Sequence, residues 1–157
     1  MPGVGGYGPI NRVELKNMVA AWCTDPQGDL ADTKGTPIGE WDISEITSLE
    51  EVFRDYYTCN PDVSKWNTSK VTNMFRAFQY ARAFNGNVSG WDTSKVTTMH
   101  AMFVEAALLN QDLSAWPTGN VVGDGMEFMF GNATTQLVKL GEHLAANDDS
   151  GVRWMEM

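Results

Sequence analysis

A chain of 157 residues is the size of one domain, and a hydrophobic fraction of 43% supplies enough apolar side chains for a core. Twenty acidic against eleven basic residues leave a net charge of -9, which disfavours nucleic acid and anionic membrane surfaces, because both are bound through basic patches. No run approaches the roughly 18 consecutive apolar residues of a spanning helix, so no direct membrane insertion is expected.

In chain order, Met1 to Pro9 is Gly-rich and uncharged, without the basic stretch and apolar run of a signal peptide. Asn11 to Cys23 predicts a helix. Val13, Leu15, Met18, Val19 and Trp22 fall on one stripe, and Asn11 is placed to cap it. Asp25–Gly39 is a loop rich in Gly, Pro and Asp; Asp25 and Asp29 lack the alternating ligands and terminal Glu of a calcium loop. Residues 1–40 therefore read as an N-terminal segment with a capping helix.

A periodic region follows. Trp41, Trp66, Trp91 and Trp116 recur at equal intervals, in a chain that holds only 6 Trp. Ile46, Val71, Val96 and Val121 form an aliphatic column at the same period. Phe53, Phe78 and Phe103 form an aromatic one, continued by Phe128 or Phe130. Asn60, Asn85 and Asn110 form a polar ladder beside Cys59, Phe84 and Leu109. A unit this small cannot bury its own apolar face, whereas stacked units can. The pattern predicts a repeat solenoid with short parallel strands and helical turns in each 25-residue coil. It has three regular repeats and one degenerate repeat over residues 41–133. The fourth unit recovers Met129, Phe130 and Ala133 only after a two-residue insertion. The Trp column and the Asn ladder are expected to hold the stack together.

Residues 134–157 predict a C-terminal capping helix from Thr134 to Asn147, with Leu137, Leu140 and Leu144 at helical spacing, and then a tail. Trp154 and Met155 in that tail are candidate partner-binding residues, since Trp and Met are enriched at interfaces.

The string W-[DN]-T-S-K-V-T-x-M-x-x-[MAF]-F-x-x-A-x-x-[FL]-N resembles the BspA-like leucine-rich-repeat proteins, the lipoprotein-type surface family, and Trp66–Ser89 and Trp91–Ser114 match it best. The resemblance implies a leucine-rich-repeat solenoid used for adhesion or protein binding, often at a cell surface or secreted. It implies no catalytic residues.

Catalytic and metal motifs are expected to be absent. His100 and His143 are the only histidines, and His100 occupies the column of Phe75 with no second ligand at a fitting spacing. Cys23 and Cys59 lack CxxC spacing; one bridge between them is allowed but not required. No catalytic residue, metal or cofactor is assigned. The expected function is a non-catalytic protein–protein interaction module, adhesin-like or an accessory subunit docked on a larger assembly. Its partners are protein, and a large complex is included among them. An enzyme with an unrecognised carboxylate-based site and a purely structural spacer are the alternatives.

Overall fold

The computed structural model describes residues 8–25, 36–133, 138–140, 143–148 and 151–156. Helix α1 spans Arg12–Thr24, and the Asn11 side chain accepts a hydrogen bond from the Glu14 N–H at its first turn. It lays Leu15 and Val19 into the core, with Met18, Trp22 and Cys23 packed alongside. Val13, at the edge of the expected stripe, faces out. Cys23 near the end of α1 is joined to Cys59 by a disulfide. A short 3-10 turn at Ile38–Glu40 then leads into Trp41.

From Trp41 to Ala133 the chain is built of turns, in units held to one another by backbone hydrogen bonds. The N–H groups of Leu49, Glu51, Phe53 and Asp55 donate to the carbonyls of Asn73, Phe75, Ala77 and Gln79. Those of Met74, Arg76, Phe78 and Tyr80 donate to Thr98, His100, Met102 and Val104. Several residues between these bond locally instead, such as Val52 to Leu49, Arg54 to Glu51 and Ala77 to Met74. Alternate peptide groups thus close a tight turn or reach the next unit, which satisfies buried backbone without a continuous ladder.

The fold class differs from the expected one. A leucine-rich-repeat-like solenoid with a strand and helical turns in each coil is not present. Among the described residues α1 is the only α-helix, and residues 41–133 contain no strand, only isolated bridges, among them the parallel pairs Ser48 to Asn73 and Asn73 to Thr98. The reason lies in the backbone. Glu51 and Asp55, Arg76 and Tyr80, and Ala101 and Glu105 all have positive φ, between 53° and 67°. A left-handed residue at every fourth position can sit in neither a right-handed helix nor a strand. Each costs a non-glycine residue roughly 1–2 kcal/mol, offset here by the bonds between units.

The C-terminal helix is also corrected. Val138–Leu140 (β1), His143–Asp148 (β2) and Gly151–Glu156 (β3) form an antiparallel sheet in the order β1-β2-β3. Gly141 would weaken a helix there by about 1 kcal/mol, and pairing between neighbouring strands meets the backbone's hydrogen-bonding demand instead. Thr134 to Leu137 lie outside the described residues.

The core is a set of columns. Phe53 stacks on Phe78 with ring centroids 4.8 Å apart, Phe78 on Phe103 at 5.5 Å, and Phe103 on Phe130 at 5.7 Å. The last step is longer along the chain than the earlier ones because of the insertion in the fourth unit, and it leaves Phe128 exposed.

Candidate functional site

The expected ladder residues fall into two environments. Trp41, Trp66, Trp91 and Trp116 are buried. Trp66 stacks on Trp41 at 6.5 Å and on Trp91 at 6.2 Å. The indole N–H groups of Trp66, Trp91 and Trp116 donate to the carbonyls of Ile38, Val63 and Val88, each in the preceding turn of the stack. A large ring is thereby buried with its one polar atom satisfied. Asn60, Asn85 and Asn110 are exposed instead. The Asn60 side-chain oxygen accepts from the Asn85 N–H, and that of Asn85 from the Asn110 N–H, both at 2.8 Å. The ladder therefore runs along the surface and ties each unit's backbone to the preceding one.

Two further polar devices come from the Asp or Asn, Thr and Ser that follow each of Trp66 and Trp91. Thr68 and Thr93 are buried, and their hydroxyls donate to the carbonyls of Asp92 and Pro117 in the next unit. Asp or Asn two residues before a Ser closes a small turn, as Asn67 accepts from the Ser69 N–H and Asp92 from that of Ser94.

With these groups used inside the stack, the candidate site is on its outside. Tyr57 and Leu108 are exposed at 50% and 62%. They belong to one strip that crosses three units. The Ala83 N–H donates to the Tyr57 carbonyl, and the Leu108 N–H to the Arg82 carbonyl. The Arg82 guanidinium lies 5.3 Å from the centre of the Tyr57 ring, and its Nη2 bonds the Glu105 carboxylate at 2.7 Å. Tyr57, Arg82 and Leu108 therefore sit on three successive units whose backbones are bonded at these positions. Elsewhere charges also pair between units, Lys65 with Glu40 and Lys70 with Glu45, so these lysines form a solvated face and no basic patch.

The other sequence candidates lie elsewhere. Trp154 and Met155 fall in β3, opposite Ala145 and Leu144 of β2; their side chains lie outside what the structure describes. His100 is half-buried, with its ring stacked on Phe75 at 5.5 Å and met edge-on by Phe128 at 5.8 Å. Among the described residues, no helix is long and apolar enough to cross a membrane.

A family model described as "Mycoplasma protein of unknown function, DUF285" matches residues 16–142. No curated protein and no solved structure matches the chain. The family match corrects the expected membership of the BspA-like leucine-rich-repeat family. The motif that suggested it has a local explanation in this fold. Its Asp or Asn and Ser close a turn, its first Thr bonds the next unit's carbonyl, and its Met fills the core. None of these roles requires a leucine-rich-repeat strand.

Proposed function

The chain belongs to the family of unknown function DUF285, and from that premise we propose that it is a non-catalytic protein-interaction module that docks onto a larger protein assembly. The observation that carries this reading is the Tyr57–Arg82–Leu108 strip. Tyr and Arg are the residues that most often dominate binding energy when a partner covers them. Arg82 already lies against Tyr57 and is held by Glu105, so little side-chain freedom remains to be lost on binding. The net charge of -9 adds a preference for a partner with a basic surface.

The test is a Tyr57→Ser/Leu108→Ser double variant, purified alongside the unaltered chain from its natural source. The unaltered protein should migrate in a complex larger than its own monomer. The double variant, with an unchanged melting temperature, should migrate alone. Retention of the partner by the double variant would remove the strip as the docking surface.

A further inference from the structure

We infer that the irregular fourth unit builds a binding site for a divalent first-row transition-metal ion from His100, Asp124 and Glu127. One ligand atom from each of these side chains lies within 4.8 Å of the others. Bonds of about 2.0–2.2 Å to Zn2+ place tetrahedral ligand atoms roughly 3.4 Å apart, a spacing reached by small side-chain rotations. One imidazole and two carboxylates suit Zn2+, Mn2+, Fe2+ or Ni2+, whereas Ca2+ takes oxygen ligands alone. The two carboxylates balance the ion's charge, and among the described residues no ion pair is made by either of them.

The histidine is held in place. Its ring packs between Phe75 and Phe128, and Nδ1 lies 3.2 Å from the Asp124 carbonyl oxygen. When Nδ1–H donates to that carbonyl, Nε2 keeps its lone pair, the arrangement by which metal-binding histidines are oriented. The insertion creates the cluster. The N–H groups of Met74 and Arg76 reach the carbonyls of Thr98 and His100, but those of Met99 and Ala101 reach further along the chain, to Gly125 and Glu127. This longer step sets Asp124 and Glu127 beside His100. Gly125 permits the approach, since a Cβ there would lie 2.8 Å from the Thr97 carbonyl oxygen. Three protein ligands leave at least one coordination position open, to water or to a ligand from a partner.

The experiment is isothermal titration of the full chain with ZnCl2 after chelator treatment and dialysis. The wild-type chain should bind one ion. His100→Phe restores the ring that Phe75 supplies in the preceding unit and should fold normally, checked by its melting temperature. This variant and Asp124→Asn should each weaken binding by more than about tenfold, the lower bound for loss of even an outer-shell partner. His143→Ala, which removes the other histidine, should bind as wild type does. Equal affinity in the wild type and His100→Phe, loss of binding in His143→Ala, or no Zn2+ uptake by the wild type would each overturn the assignment.

Discussion

Asp and Asn perform the same mechanical task at the turns of this protein but differ in charge. Asp42, Asp62 and Asp92 accept from the backbone N–H groups of Ser44, Ser64 and Ser94. Asn67 and Asn87 do the same for Ser69 and Ser89. The carboxylates of Asp42, Asp62 and Asp92 are held below their ordinary value of 3.8, chiefly by hydrogen bonds from the Ser hydroxyl and then from the Ser N–H. A depressed folded-state value stabilises the fold above the unfolded-state value. That stabilisation is lost as pH falls through the folded-state value. The loss therefore begins near pH 4 and grows as the solution becomes more acidic. The neutral amides carry no such dependence. The triple variant Asp42→Asn/Asp62→Asn/Asp92→Asn should accordingly lose less stability than wild type between about pH 6 and about pH 3, read as urea midpoints. Parallel pH profiles would show that these turns do not contribute to the acid response.

Helix α1 is fastened to the first unit by covalent and polar contacts of unequal worth. Lys16 and Arg12 pair with Glu51 and Glu50 at the surface, and exposed pairs contribute at most about 1 kcal/mol each. The Cys23–Cys59 disulfide closes a loop with a sequence separation of 36, worth about 3–4 kcal/mol through the entropy it removes from the unfolded chain. Reduction, or Cys23→Ser/Cys59→Ser, should lower unfolding free energy by about that amount; an unchanged urea midpoint would show that the helix is held by packing alone. The N-terminal helix was legible in the sequence because a capping Asn and an apolar stripe are local signals. The strands at Val138–Leu140 and His143–Asp148 were not, because leucines at helical spacing suggested a helix and the deciding contacts lie between segments. The unit backbone was illegible for another reason. Glu51, Arg76 and Ala101 share a left-handed conformation but no chemistry, so no residue type marks the turn that excludes a leucine-rich-repeat coil.

For the whole molecule, the Trp period was readable because like side chains stack on like. The Tyr57–Arg82–Leu108 strip was not, since it joins different residue types at offset positions. The His100 cluster stayed hidden because an insertion, not a spacing, brings its carboxylates near. On the proposed reading, a partner binds the side chains that this interior order leaves outside, Tyr57 and Leu108 among them. The most direct measurement places a photo-crosslinking amino acid at position 57, at position 108, or at Lys95, an exposed residue in a different segment of the unit. The interaction-module account expects one partner protein to crosslink from positions 57 and 108 and not from 95. Crosslinking that is equal from all three positions, or that occurs from 95 alone, would contradict it.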